Sequence, residues 1–176
     1  SRAIVTVGSL GEERGRHSLL VTVAQTLMDH GLIDLARHYI DEAHLLGADS
    51  TDAVAGIEFG LLRARWAREK GESEAALERL DEVDARLRAA AGTALLASRS
   101  LEAQLERGIA LSGSDPEHAL RLIQDARAGL LSRGKETMDV PALIAEADVH
   151  RRLGRADAEY RALVRAVRAF ERIQES

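Results

Sequence analysis

Apolar positions along this chain recur at spacings of three, four and seven residues. Leu35, Ala36, Tyr39, Ile40, Ala43 and Leu46 form one such stripe, and Ala76, Leu77, Leu80, Val83 and Leu87 form a second. Ala119, Leu120, Ile123, Ala126 and Leu130 repeat it, and so do Leu163, Ala166, Val167, Phe170 and Ile173. Each stripe is the mark of a helix that buries one face and wets the other. Broader helical patterns precede them, over roughly residues 12–30, 52–70, 94–112 and 140–153. The pattern predicts eight helices in four hairpins, an all-α chain.

Glycines set the punctuation. Gly31, Gly71, Gly113 and Gly154 stand 40, 42 and 41 residues apart, each after a long helical pattern. Glycine suits the position just past a helix end because it takes the left-handed conformation without a Cβ clash. Both prolines fall where helices start: Asp115-Pro116-Glu117 reads as cap, first helical position and first-turn acid, and Pro141 opens the seventh helix. Glu82 with Arg86, Asp84 with Arg88 and Glu117 with Arg121 place an acid four residues before a base, as on exposed helix faces. A period near 40 residues predicts a repeat array with units about 12–47, 50–91, 93–134 and 139–175. Residues 1–11, with β-branched AIVTV at 3–7 and glycines after it, read as a linker or a truncated preceding element. The chain begins at Ser1, which reads as a segment of something longer.

In register, small residues recur between units. Ala36 aligns with Ala76 and Ala119. Ala43 aligns with Val83, Ala126 and Ala166. Ala24, Ala64 and Ala147 precede the central glycines. This resembles the tetratricopeptide repeat, a helix-turn-helix unit whose small residues let paired helices pack closely, and the tail LGRADAEYRALVRAVRAFERI at 153–173 resembles it most. The resemblance covers residues 12–175. The usual repeat is about 34 residues, and these are longer; Arg107 and Glu159 stand where small residues belong. The long variant looks similar to arrays in large bacterial regulators, beside ATPase, kinase or DNA-binding domains.

The resemblance implies an α-solenoid whose first helices line a concave groove for a peptide or protein. By register the groove positions are Val21, Gln25, Met28 and Asp29; Leu61, Arg65, Arg68 and Glu69; Gln104, Gly108 and Leu111; Ile144, Asp148, Arg151 and Arg152. The Lys/Asn clamp that some members use for a C-terminal carboxylate has no counterpart, since Val21 and Gln25 hold its first two places. Arg65, Arg68, Arg151 and Arg152 would suit an acidic peptide, unless neighbouring acids pair with them.

Composition sharpens this picture. Of 176 residues, 45% are hydrophobic, only 3% aromatic, and alanine occurs thirty times, which favours helix over sheet. The net charge is −5, which disfavours a nucleic-acid surface, where neutralising phosphates supplies affinity; a helical-repeat RNA binder would bind with steep salt dependence. There are no cysteines, so disulfides and thiolate metal sites are excluded, and a reducing compartment such as the cytoplasm fits. No apolar run approaches the roughly 18 residues of a membrane span. Arginine outnumbers lysine 22 to 2, a bias that fits a GC-rich genome.

Two stretches spell enzyme motifs. Asp41-Glu42-Ala43-His44 matches the acidic signature of nucleic-acid helicases, and GLLSRGK at 129–135 outlines a phosphate-binding loop. A helicase needs its acids at the end of a strand, whereas Ala43 belongs to a helical stripe. Glu136 follows Lys135 where a magnesium-binding Ser or Thr is required, and the order of the two motifs is reversed. Both are read as coincidence. His30, His38 and His44 are spaced by eight and six, too far round a helix for a metal pair; His118 and His150 lie in other units. No G-x-S-x-G supports nucleophilic catalysis. Trp66 is read as core, with a groove anchor as the alternative. The expectation is a non-enzymatic protein–protein interaction scaffold, part of a larger bacterial regulatory or signalling protein, without cofactor or metal. Its partner would be a protein, a peptide or adjacent domains of the parent chain. Exposed apolar end faces also make a homodimer an expectation. The second reading is a small-ligand-sensing domain of a multidomain transcription regulator.

Overall fold

The computed structural model describes residues 2–47, 52–90, 92 and 94–175. Eight α-helices run through them: α1 Arg2–Asp29, α2 Ile33–Gly47, α3 Ala53–Glu69, α4 Ser73–Ala89, α5 Ala94–Leu111, α6 Pro116–Leu131, α7 Asp139–Arg152 and α8 Ala156–Gln174. A single 3-10 turn, Glu136–Met138, leads into α7. The all-α architecture expected from the periodicity is the one observed. Residues 2–11, read from sequence as linker or stub, have helical backbone continuous with α1. The unit limits placed at 50, 91 and 93 fall outside the described residues.

Four of the connections between successive helices share one closure. Gly31, Gly71, Gly134 and Gly154 hold φ of 73°, 81°, 69° and 70°. In each, the residue after the glycine donates its backbone N–H five residues back: Leu32 to Leu27, Glu72 to Ala67, Lys135 to Leu130 and Arg155 to His150, at 2.8–3.1 Å. These bonds satisfy helix-end carbonyls that would otherwise lack partners. Gly113 departs from the expectation. It does not take positive φ. Instead the amides of Ser114 and Asp115 both reach the Leu111 carbonyl. Asp115 then caps α6 by accepting from the His118 amide at 3.1 Å, with Pro116 in the first turn. Pro141 sits in the first turn of α7, two residues inside its start.

The chain divides into two compact units, Ser1–Arg86 and Leu87–Ser176. In the first, α1 packs on α2 and both touch α3. Leu20, Val21, Ala24 and Met28 of α1 bury against Ala36, Ile40 and Ala43 of α2 and Leu62 of α3. Trp66 packs at the edge of this core, and its Nε1 donates to the Ile33 carbonyl at 3.3 Å, so it is a packing residue. The DEAH tetrapeptide lies inside α2, with Ala43 fully buried. In the second unit α5, α6, α7 and α8 pack in chain order. Leu105, Ile123, Leu130 and Val149 centre its core, with Ala119, Ala126, Ala142 and Ala145 between them. Leu143 of α7 meets Ala166 and Ala169 of α8. GLLSRGK spans the end of α6 and the turn at Gly134, where no strand precedes it.

One buried ion pair ties α6 to α7. Arg127 Nε donates to Asp139 Oδ1 at 2.6 Å, the aspartate being 5% exposed, and Arg172 of α8 approaches its other oxygen at 3.5 Å. Of the acid–base pairs expected at four-residue spacing, Glu82 is bonded by Arg79 at 2.7 Å and Glu117 by Arg155 across the α6–α8 gap.

Glycine packing and the buried pair make two expectations. A Cβ on Gly108 would lie 2.7 Å from Ile123 Cγ1 and 3.1 Å from the Ala119 carbonyl oxygen, whereas one on Gly15 would meet nothing within 4 Å. Gly108→Ala therefore lowers stability, an overpacking cost of about 1–3 kcal/mol outweighing a helix-propensity gain of about 1. Gly15→Ala raises it by about 0.5–1 kcal/mol; urea denaturation of both variants reads the opposite signs. By the same measurement Asp139→Ala, which strands Arg127, costs about 3 kcal/mol.

Candidate functional site

The groove positions chosen by register do not present free cations. In the first unit Arg65 of α3 reaches Asp29 of α1 at 2.7 Å, so two of them meet as an ion pair. Arg68 bonds Glu69 at 3.0 Å. Val21, Met28 and Leu61 are buried, because their stripe on each helix faces the core; Gln25 is exposed. In the second unit Asp148 accepts from both Arg151 and Arg152, its neighbours one turn on. Gln104 Nε2 points to the Leu122 carbonyl at 3.4 Å, and Gly108 lies under Ile123, so both face α6. Leu111 is half-buried and Ile144 is exposed. An arginine already paired with a local carboxylate offers an incoming acid little net gain.

A different cluster in the first unit gathers three arginines around one cleft. Helices α3 and α4 frame a cleft of about 130 Å³, closed on one side by His17 of α1 and His44 of α2. Two glycines of α3 make the room. A Cβ on Gly60 would come within 2.6 Å of Val83 Cγ2, so the helices close tightly there. At Gly56 it would fall 2.2 Å from Arg86 Nη1, because that guanidinium lies over the glycine. Phe59 forms the aromatic wall. The His17 ring meets it edge-on at 5.5 Å, the His44 ring stacks at 6.1 Å, and the Arg63 guanidinium sits 5.8 Å from its centroid. These contacts are worth roughly 0.5–1.5 kcal/mol each.

The electrostatics are cationic. Arg63, Arg79 and Arg86 line the cleft with one carboxylate, Glu82, which Arg79 holds. Burial pushes the Arg63 guanidinium below its ordinary pKa, and the Arg79 charge adds to that; Glu82 and Asp41 pull the other way. Arginine keeps its proton at neutral pH regardless, so the shift reports a partly dry guanidinium with a second one near it. Burial also holds His17 below the usual imidazole value, opposed by Asp52, so its ring is neutral at pH 7.

Sequence reading missed this cluster. Arg63, Arg79 and Arg86 lie on two helices 16 and 23 residues apart and are spelled like any exposed arginine. The available signal was the pair Gly56 and Gly60, four residues apart inside a helix, where glycine is otherwise unfavourable. Each of the sequence-selected histidines has a local contact. His30 Nδ1 bonds the Thr26 carbonyl at 2.8 Å, His38 lies edge-on to Tyr39, His118 stands 3.8 Å from Asp115, and His150 stands 3.8 Å from buried Glu146. Among the described residues no three His, Cys, Asp or Glu are grouped to hold a metal ion. No helix among them is long and apolar enough to cross a membrane.

No family model matches the chain, and no solved structure matches it. It is 31% identical over 175 residues to a protein of Methylobacterium nodulans named 8-amino-7-oxononanoate synthase, a match over 90% of this chain and 46% of that protein. The chain thus spans about half the length of the curated relative it resembles, and the activity in that name is that protein's.

The neutral, buried His17 sets a pH dependence. Its folded pKa lies below the unfolded value of about 6.5, so the unfolded chain takes up the proton first as pH falls. This contribution to stability is full above about pH 6.5 and is lost as pH drops toward the lower folded value. The melting temperature should therefore fall between pH 7 and 5.5, and His17→Phe should flatten that fall.

Proposed function

We propose that the chain is a non-enzymatic helical-repeat scaffold that docks a protein partner, and that α8 carries the docking face. The observation behind this is the outer surface of α8. Tyr160, Leu163, Val167 and Phe170 are 43–70% exposed and, at spacings of three and four, form one continuous apolar stripe. Ala162, Ala166 and Ala169 face inward in their place. Putting the larger apolar residues outside and the alanines inside reverses the usual assignment for a helix at a protein surface. A contiguous exposed apolar stripe with Tyr and Phe is the composition of an interface centre.

Arg161 and Arg168 run beside the stripe on the side away from the core and are exposed. The complementary partner is an amphipathic helix whose apolar stripe is bordered by acids, laid along α8. The parent of such a module would be a regulatory or signalling protein of the kind the repeat pattern resembles. A second reading, a domain that senses a small ligand, is favoured by the cationic cleft of the first unit.

Capture from lysate with chemical cross-linking tests the docking face. The intact chain should retain a protein cross-linked to α8 through an acidic amphipathic helix, and Leu163→Glu with Val167→Glu should reduce retention at least tenfold. Retention lost instead in the variant with Arg65→Glu, Arg68→Glu and Arg151→Glu would return the docking site to the register-assigned groove. Concentration-dependent dimers abolished by the α8 variant would show that the face pairs with a second copy, and would overturn the partner.

A further inference from the structure

The cleft of the first unit has two cationic ends. Gly56 lies against Arg86 and Gly60 against Val83, so α3 and α4 run antiparallel with Arg63 level with Arg79. Arg79 and Arg86 are seven residues apart on one face of α4, about 10 Å along the axis at 1.5 Å per residue. One end therefore holds Arg63 and Arg79, and the other holds Arg86. Between them the walls are Ala55, Gly56, Phe59, Gly60 and Val83, and the one acid, Glu82, is taken up by Arg79. Three guanidiniums and one carboxylate line the cleft, with His17 neutral, so its lining is net positive in a chain whose overall charge is −5, although Asp41 also acts on Arg63. The attraction for an anion is local to this cleft.

We propose that this cleft binds a small α,ω-dicarboxylate, with one carboxylate on Arg63 beside the Glu82-bound Arg79, the other on Arg86, and the saturated chain against Phe59 and Val83. Guanidinium groups match carboxylates as planar forks and hold them with charge-assisted hydrogen bonds. A dianion brings one carboxylate to each cationic end. An anion with a single charged end, such as inorganic phosphate or a monocarboxylate, engages one end and leaves the other unmatched. The cavity of about 130 Å³ admits a short linear molecule and is small for a nucleotide. This inference is independent of the α8 docking face, which lies in the other unit.

The test is thermal denaturation and calorimetric titration of the full chain with straight-chain dicarboxylates from succinate to azelate, alongside octanoate and inorganic phosphate. A ligand that binds only the folded state raises the melting temperature with the logarithm of its concentration. The rise should depend on length and peak near suberate, whose ends reach both arginine groups, with little effect from succinate, octanoate or phosphate. Arg86→Ala, at an exposed position, should weaken the best dicarboxylate at least tenfold and erase the length dependence. Gly56→Ala should do the same by placing a methyl where the Arg86 guanidinium lies. Arg121→Ala on α6, an exposed position outside both surfaces, should leave binding unchanged.

Equal stabilisation by phosphate or octanoate would overturn the two-ended site. So would dicarboxylate binding that survives Arg86→Ala while the variant's circular dichroism matches the parent. Binding of a glutamate-containing peptide without any dicarboxylate binding would overturn the small-molecule assignment, as would no response to any dicarboxylate at millimolar concentration.

Discussion

Close approach of neighbouring helices, allowed by alanine and glycine at their crossings, is the constraint on which this structure rests. Ala24, Ala36, Ala43, Ala119, Ala126 and Ala142 are all completely or almost completely buried. Gly60 and Gly108 go further, since a single methyl at either would collide with the facing Val83 or Ile123. Short side chains lower the hydrophobic gain per residue, and the close contact recovers part of it through dispersion between well-packed atoms. Few large residues are then needed inside, which fits a chain with so few aromatics.

The same economy leaves larger side chains to face outward. On α8 the alanines take the inner face, so Tyr160, Leu163, Val167 and Phe170 are left on the outer one. In α3 the glycines do the reverse: they thin the helix and open the cleft over which Arg86 lies. Both candidate surfaces are thus by-products of small-residue packing, one apolar and one cationic.

At the register-assigned groove positions charge is neutralised locally. Arg65, Arg151 and Arg152, which by register lined a groove, are each held by a carboxylate from a neighbouring helix or a neighbouring turn. Arg63 differs because burial strips it of water and because the charge of another arginine, Arg79, acts on it more strongly than Glu82 or Asp41 does. Positive charge that is crowded and partly dry attracts an anion more strongly than the same charge on an open helix face.

By itself the sequence determined the helices, their hairpin order and most of their ends. Apolar spacing depends only on which residues can share a buried face, and glycine's freedom at positive φ is a property of the residue. The reading therefore placed Gly31, Gly71 and Gly154, the Asp115 cap and the helical setting of the DEAH tetrapeptide. Tertiary structure alone decided that Gly113 closes its turn by another bond pattern. It also decided which arginine meets which acid, because a long side chain reaches across to whichever helix the packing brings near. The cleft was invisible for the same reason: Arg63, Arg79 and Arg86 become one site only when two glycines let α3 and α4 close upon each other.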